Sequence, residues 1–295
     1  MRDIILIYNP KAGDTYFRFS LDRFIEIFSA KNVEIRVFRS RQPGDMALYL
    51  KECDLSLTEA VFVAGGDGTV NEVVNAMMER NSRLPIGVIP AGTDNDFAKL
   101  LGFGEDLEEN LKSLFAGKVV PVDVARVNDR YFVNACSAGT LSSMVNVSSD
   151  MKNLFGRWAY YIKGVSALPK FHKMDLSIQE SETIHEGRFA FMTIVNARPH
   201  PDGVGADISE LSNGMFDLLA VKIDGIANIA RVIMKIVRKE PIHEKDVLYI
   251  EGKHFNIWSN DDTDENYIEV DGERGPAMPL NIQVYQGALR FFVKD

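Results

Sequence analysis

The sequence has few cysteines, no long apolar run and no excess of basic residues. Its two cysteines, Cys53 and Cys136, form neither a disulfide framework nor a metal-binding knuckle, which fits a reducing cytoplasm. No apolar segment approaches the roughly 20 residues that a membrane-spanning helix needs. With 42 acidic against 33 basic residues the net charge is −9, which argues against a dedicated nucleic-acid binder.

The first third of the chain alternates between strand and helix patterns. A chain of 295 residues, 46% of them hydrophobic, has room for two folded domains. Apolar runs predict strands at 4–8, 33–38, 60–64 and 86–89, and helical spacing predicts helices at 16–30, 45–51 and 70–78. This alternation predicts an α/β domain with a mainly parallel sheet and helices on both of its faces.

After Pro121 the pattern changes to short strands joined by turns. We predict strands at 122–127, 131–136, 176–179, 189–196, 216–223, 254–258 and 267–270, with helical insertions at 151–168 and 226–239. The dipeptide Asn128-Asp129 indicates a hairpin between the first two of these strands. The chain therefore divides into an α/β domain of residues 1–122, to which about 280–295 return, and an antiparallel β-domain of residues 123–279.

Three glycine-rich turns follow predicted strands of the first domain. They are Asn9-Pro10-Lys11-Ala12-Gly13, then Gly65-Gly66-Asp67-Gly68-Thr69, which opens a helix at Val70-Asn71, and then residues 90–97 around Thr93. Glycine lets backbone amides approach an anion, and a helix N-terminus adds partial positive charge. Three such turns at neighbouring strand ends predict one phosphate-binding rim, although none of them is a Gly-x-x-x-x-Gly-Lys-Ser/Thr loop.

These segments resemble, in the same order, the sequence blocks of the diacylglycerol kinase catalytic-domain family, which includes bacterial lipid kinases and is related to sphingosine kinases. Val122-Asp123-Val124 and Asp271-Gly272-Glu273 match two further blocks, so the resemblance spans nearly the whole chain. It implies an α/β nucleotide-binding domain followed by an antiparallel β-sandwich. It also implies transfer of the γ-phosphate of ATP, with Mg²⁺, to a lipid hydroxyl, that of diacylglycerol to give phosphatidic acid.

The resemblance further implies roles for particular residues. The implied nucleotide contacts are Asn9, Pro10, Lys11, Ala12, Gly13, Ser40, Gly65, Gly66, Asp67, Gly68, Thr69, Val70, Asn71 and Thr93. Asp67 would hold Mg²⁺ directly or through water, and the alternative is a turn or helix-capping residue. Glu273 would accept the proton of the acceptor hydroxyl, and the alternative is an exposed acid in an ordinary Asp-Gly hairpin turn.

Two segments depart from the family pattern. Where many bacterial relatives carry an acidic structural Mg²⁺ site, this chain has Glu210, Asn213 and Met215, and the amide in place of an aspartate should weaken cation binding. Where relatives tend to carry Gly-Phe-Asp-Ala, close to the lipid, this chain has Gly139-Thr140-Leu141-Ser142. The second departure leaves the identity of the lipid open.

The expected partner is a membrane lipid, met by a cytoplasmic protein peripheral to the inner face of the membrane. The segments 151–174 and 226–239 are basic and free of acids, so they could rest on anionic lipid. The alternative is amphipathic helices packed on the β-domain with a solvated basic face. A homodimer is a further possible partner. A soluble-substrate kinase of the NAD-kinase type and a non-catalytic nucleotide- or lipid-binding regulator remain open as functions.

Overall fold

A computed structural model describes residues 2–13, 17–139, 173–197, 205–222, 247–261 and 267–294, and of residue 18 the backbone alone. The predicted helical insertions at 151–168 and 226–239 lie outside the described residues. Positions 140–142, where the sequence departs from the family pattern, also lie outside them. So do all but the last two residues of the basic segment 151–174. Within the described part of the chain, no helix is long and apolar enough to cross a membrane.

The chain divides into two compact units. The first unit contains residues 1–124, 204–212 and 286–295, and the second contains residues 125–203 and 213–285. The chain therefore leaves the first unit, builds the second, and returns twice.

The first unit is an α/β domain. Its own strands and helices are β1 (Asp3–Tyr8), α1 (Phe17–Ser29), β2 (Glu34–Arg39), α2 (Asp45–Glu52), β3 (Thr58–Gly65), α3 (Asp67–Glu79), β4 (Ile86–Pro90), α4 (Asp96–Leu100) and α5 (Leu107–Ala116). The strands pair in parallel in the order β2-β1-β3-β4. The predicted strand–helix alternation and the mainly parallel sheet are confirmed.

Burial explains why these segments take these forms. Nearly every residue of β1, β3 and β4 is buried, as expected for parallel strands covered on both faces, whereas β2 at the edge alternates with solvent. In α1, Phe24 and Phe28 lie four residues apart and stack with their ring centroids 4.3 Å apart. Both rings contact Phe62 of β3, so the apolar face of α1 is fixed against the sheet.

The second unit is built from strands. They are β5 (Val119–Val127), β6 (Arg130–Phe132), β7 (Ala135–Gly139), β8 (Met174–Glu180), β9 (Thr183–Val195), β10 (Phe216–Lys222), β11 (Val247–Gly252), β12 (His254–Ser259), β13 (Tyr267–Val270), β14 (Glu273–Ala277) and β15 (Leu280–Phe292). Strand β5 begins in the first unit, and β15 ends there, with Phe291 beside Ile86 of β4.

Strand β9 gives this unit its two layers. Residues 183–189 of β9 pair with β8, whereas residues 191–195 pair with β7 on one side and residues 189–195 pair with β10 on the other. All of these pairings are antiparallel, and side chains from both layers form one buried core that includes Phe132, Phe189, Phe216 and Phe255. The predicted antiparallel β-sandwich is confirmed.

One strand prediction is wrong in its extent. The predicted strand at 131–136 is two strands, β6 and β7, separated by Val133 and Asn134. The backbone amides of these two residues donate to the carboxylate of Asp271 instead of to a neighbouring strand. A side chain about 140 residues further along the chain therefore interrupts the ladder, which no local pattern could reveal. The predicted hairpin at Asn128-Asp129 is confirmed, since Val127 pairs with Arg130.

Candidate active site

The three glycine-rich turns meet at the carboxyl ends of β1, β3 and β4 in the first unit. The amide of Asn9 donates to the carbonyl of Ala64 at 3.0 Å, and the amide of Ala91 donates to the carbonyl of Gly65 at 3.1 Å. The side-chain amide of Asn9 also reaches the hydroxyl of Thr69 at 3.4 Å. Each turn is thus bonded to the next one across the sheet.

The glycines of these turns pack against one another. A Cβ atom on Gly66 would lie 3.1 Å from the Cα of Gly92, and one on Gly92 would lie 2.3 Å from the Cα of Gly66. Gly13 has φ +48°, and its Cβ would lie 2.7 Å from the carbonyl oxygen of Ala91. The rim therefore needs glycine for contact between its own turns, a reason that the sequence motif alone does not reveal.

Asp67 binds the backbone of a neighbouring helix. Its two carboxylate oxygens accept the amides of Asp96 at 3.1 Å and Phe97 at 2.9 Å, at the start of α4. Of the two roles open from the sequence, the capping role is the one whose contacts are seen, although the capped helix is α4 and not α3, to which Asp67 belongs. Its contact with Mg²⁺ stays a prediction.

Glu72 caps a second neighbouring helix. Its Oε1 atom accepts the amides of Met46 at 2.9 Å and Ala47 at 3.0 Å, at the start of α2. The residue at the N-cap of α2 is Gly44, which has no side chain for this purpose. Although Glu72 closely follows the glycine-rich turn, no role could be predicted for it from the sequence, because its partners lie 25 and 26 residues earlier.

Helix α3 begins at the rim. Its N-cap is Gly66, in an extended conformation, which has no side chain to accept a first-turn amide. Amides in the first turn of a helix have no partner inside the helix, and they carry the positive end of the helix dipole. The start of α3 lies at the rim, where Gly66 packs against Gly92 of the neighbouring turn.

The other predicted nucleotide contacts fall around this helix start, with different exposure. Lys11, Gly13 and Thr93 are exposed, while Ser40, after β2, is buried. Val70 and Asn71 are only 2% exposed, and their contact with a nucleotide stays a prediction. Pro10 is also buried, Ala12 is half-buried, and the carboxamide of Asn9 accepts the amide of Lys11 at 2.9 Å.

In the second unit, Asp271 is buried and structural. Its carboxylate accepts three backbone amides, from Val133 at 3.1 Å, Asn134 at 3.0 Å and Ala135 at 2.9 Å. Burial, and then the charge of Asp271, raise the pKa of the Cys136 thiol well above its usual range. Asp271-Gly272 does form the hairpin turn between β13 and β14, since Val270 pairs with Glu273, but the first of its two acids is buried.

Glu273, two residues later, is the exposed acid of this turn. It begins β14, its side chain is 53% exposed, and its Oε2 atom lies 2.6 Å from Nη2 of Arg130. Arg130 carries no motif, so the sequence did not point to it. Nor did it point to Glu269 on β13, whose pKa is raised by burial.

The residues of the predicted structural metal site are placed in a short turn region. Glu210 lies in a 3-10 turn, Glu210–Ser212, in the first unit. In the second unit, Asn213 is exposed, and its side-chain oxygen accepts the amide of Met215 at 2.7 Å. Within the described ranges there is no cluster of three His, Cys, Asp or Glu residues that could hold a metal. The site stays a prediction.

Comparison with known proteins places this fold and these turns in one family. Residues 3–127 match the family model described as the diacylglycerol kinase catalytic domain, and residues 134–293 match the YegS C-terminal NAD kinase beta sandwich-like domain. A solved structure described as a diacylglycerol kinase from Bacillus anthracis has a TM-score of 0.76 at 22% identity, covering 99% of this chain and 97% of that one. The match to the solved structure shows the fold.

Relatives of closer sequence show the family. The diacylglycerol kinase of Bacillus subtilis is 31% identical over 95% of this chain and 92% of its own length. That of Staphylococcus carnosus is 32% identical over 94% of this chain and 90% of its own. The chain belongs to the diacylglycerol kinase catalytic-domain family, a family of lipid kinases.

Proposed function

We propose that this protein is a Mg²⁺-dependent kinase that transfers the γ-phosphate of ATP to the hydroxyl of diacylglycerol, giving phosphatidic acid and ADP. The observation that carries the proposal is the meeting of the three glycine-rich turns at the start of α3. These turns are bonded to one another at the carboxyl ends of β1, β3 and β4, and α3 begins among them at Gly66. A phosphate group fits the start of α3, because the amides and the dipole there favour an anion.

The exposed residues around α3 suit the rest of the nucleotide. Lys11 offers a positive charge at the rim, and Thr93 offers a hydroxyl on the turn after β4. Asn9 holds its own turn by accepting the amide of Lys11 and bonds the hydroxyl of Thr69. We propose that these residues and Ser40 orient the nucleotide so that its terminal phosphate points away from the sheet.

Bound Mg²⁺ would neutralise charge on the phosphates as it builds up during transfer. In kinase sites this ion keeps several waters and takes one or two carboxylates plus substrate phosphates. Asp67 suits such a role through water, because the two amides at the start of α4 hold its carboxylate at the rim. These residues therefore suit a Mg²⁺ ion that arrives bound to ATP better than they suit a metal site built from protein ligands alone.

The transfer needs one group that takes a proton. The acceptor oxygen forms a bond to the γ-phosphorus while the bond from that phosphorus to the oxygen shared with the β-phosphate breaks. Glu273 takes the hydroxyl proton, and ADP leaves. Its half-exposed carboxylate suits contact with a substrate, which the buried carboxylate of Asp271 could not make.

A transfer assay with γ-labelled ATP tests the proposal. Diacylglycerol, monoacylglycerol, phosphatidylglycerol and a sphingoid base are supplied in mixed micelles, and soluble alcohols and NAD are supplied in parallel. We expect label in phosphatidic acid, and no transfer once Mg²⁺ is removed with a chelator. Label in a soluble acceptor alone would favour the NAD-kinase type, and ATP binding without any transfer would favour a regulator.

Membrane contact and assembly remain predictions. We expect the basic segments 151–174 and 226–239 to draw the protein to anionic vesicles in a salt-sensitive manner, at about 1 kcal/mol for each basic residue near the surface. Co-sedimentation that ignores both anionic lipid and salt would contradict this. A homodimer also remains a prediction, which sedimentation velocity would test.

A further inference from the structure

We infer that Arg130 is a positioning residue for phosphoryl transfer, which holds the carboxylate of Glu273 in the orientation that receives the acceptor proton. The inference rests on the proposed function, in which Glu273 is the proton acceptor. It goes beyond that function because no sequence motif includes Arg130.

The contacts of Arg130 hold the hairpin at two points. Its Nη2 atom lies 2.6 Å from Oε2 of Glu273, and its Nη1 atom donates to the carbonyl of Arg274 at 3.2 Å. One contact is to a side chain and the other to the backbone of the next residue. The planar guanidinium therefore fixes the carboxylate relative to β14, which a contact to the carboxylate alone would not do.

Arg130 is itself mounted on an anchored turn. It follows Asn128, whose side chain accepts the amide of Asn281 at 2.8 Å and donates to the carbonyl of Pro279 at 3.2 Å. The amide of Asn128 also donates to the carbonyl of Asn281 at 2.9 Å. Three bonds thus tie the β5–β6 turn to the start of β15.

Glu273 is mounted on a second anchored turn. Two residues before it, Asp271 binds three amides in the segment between β6 and β7. Both partners of the ion pair are thus carried by turns that the rest of the second unit holds in place. A pair formed by chance between two mobile surface side chains would lack this support on both sides.

We expect Arg130 to affect the orientation of Glu273 more than the stability of the fold. A partly exposed ion pair contributes little to the stability of a fold. A half-exposed glutamate without such a partner samples several rotamers, whereas misplacing a reacting group by about 1 Å can cost on the order of 100-fold in rate. Arg130 would therefore affect kcat far more than the melting temperature.

A double-mutant cycle tests the inference. Arg130→Ala and Arg130→Lys are each made in the parent and in Glu273→Gln, and lipid kcat, ATP affinity and melting temperature are measured. We expect Arg130→Ala to lower kcat about 10- to 100-fold, with ATP affinity within about twofold of the parent. Arg130→Lys should retain part of the rate. In Glu273→Gln, Arg130→Ala should change the residual rate less than about twofold, because the group it positions is no longer a base.

The other outcomes distinguish a positioning role of Arg130 from a structural role and from a wrong assignment of the base. An equal loss from Arg130→Ala in both backgrounds would mean a general structural role and would overturn the inference, as would an unchanged kcat in the parent. Arg188→Ala, which removes an exposed contact to Asp175 at 3.6 Å on β8, is the matched control and should keep the parent kcat. Parent-level lipid phosphorylation by Glu273→Gln would instead overturn the base assignment within the proposed function.

Discussion

The glycine-rich turns of the first unit and the Asp-Gly turn of the second unit both carry acids, but they use them differently. In the first unit, Asp67 and Glu72 bind the starts of α4 and α2. In the second unit, Asp271 binds backbone amides in the same way, while Glu273 is half exposed and meets a guanidinium. Acids that bind backbone amides hold the fold together, and the half-exposed acid that meets a guanidinium is the one that can meet a substrate.

The comparison also separates two uses of glycine. Gly66 and Gly92 are required because their backbones touch, whereas a Cβ on Gly272 would meet nothing within 4 Å. Gly272 is needed for its φ of +81° alone. The first set of turns is therefore sensitive to side-chain volume, and the second is sensitive to backbone conformation.

The largest effect should come from filling the rim of the first unit. In Gly66→Val, the new side chain would meet Gly92 and stand at the start of α3, so we expect ATP affinity to fall by more than about 100-fold. Calorimetric titration with ATP measures it. Gly104→Val is the control, because a Cβ there meets nothing within 4 Å and φ is not positive. ATP binding at parent strength by folded Gly66→Val would show that the nucleotide lies elsewhere.

The next largest effect should distinguish Asp271, which we expect to affect stability, from Glu273, which we expect to affect the rate. Asp271→Asn places an NH₂ group or a weaker acceptor against three backbone amides, so we expect unfolding free energy to fall by about 2–3 kcal/mol. Glu273→Gln should leave stability within about 0.5 kcal/mol and lower lipid kcat by roughly 10²- to 10⁴-fold. Urea unfolding and the transfer assay measure the two quantities. If the two variants behaved alike, the separation of structural and reacting acids would be wrong.

A smaller effect should follow from weakening the cap of α4. In Asp67→Asn, both amides of α4 lose a charged acceptor and one of them faces an NH₂ group, which should cost about 1–2 kcal/mol of stability. ATP use should also fall for every acceptor, including water, if the carboxylate orients the metal shell. Asp106→Asn is the matched control, because it weakens the cap of a different helix, α5, where the amide of Glu109 donates to Asp106. Equal ATP hydrolysis by both variants would leave Asp67 with a structural role only.

Sequence reasoning succeeded where the information is local. The run Ala60–Ala64 and the turn after it predicted β3, the rim and the start of α3, because burial and glycine conformation are written in neighbouring residues. It did not predict α5, although Asp106 and Gly117 cap its two ends and Leu107, Leu111 and Leu114 recur at helical spacing, so a local signal was present and was missed. It also missed β11, whose burial alternates weakly along an exposed edge.

The contacts of the site that were not predicted from the sequence were missed for one reason. The partners of Asp67, Glu72, Asp271 and Glu273 lie 25 to 143 residues away in the chain. A motif shows that an acid is present, but the distant amide or cation that it binds depends on the folded arrangement. The division between structural and reacting acids could therefore be read only from the structure.

The smallest effect concerns an acid of the first unit that, like Glu273, meets an arginine. Arg23 of α1 donates from Nε to Oε2 of Glu108 in α5 at 2.7 Å and makes a second contact through Nη2. These hydrogen bonds, opposed in part by desolvation, lower the pKa of Glu108 to about 2. Since the folded pKa lies below the unfolded value, the pair stabilises the fold above about pH 4.5, and this contribution disappears as the pH falls towards 2.

Glu108→Gln isolates that contribution from the other carboxylates. Near pH 7 the variant should melt below the parent, by less than about 4 °C because both side chains are partly exposed. The gap should close between about pH 4.5 and pH 2, as the parent itself takes up the proton. Melting curves of parent and variant across this range measure it, at low salt to limit screening. A gap that stayed constant down to pH 2 would mean that packing of α1 on α5, and not the charge of Glu108, holds the two helices together. In that case the Arg23–Glu108 contact would contribute little to stability, as we expect for the Arg130–Glu273 contact. The importance of Arg130 would then rest on the orientation of Glu273 alone.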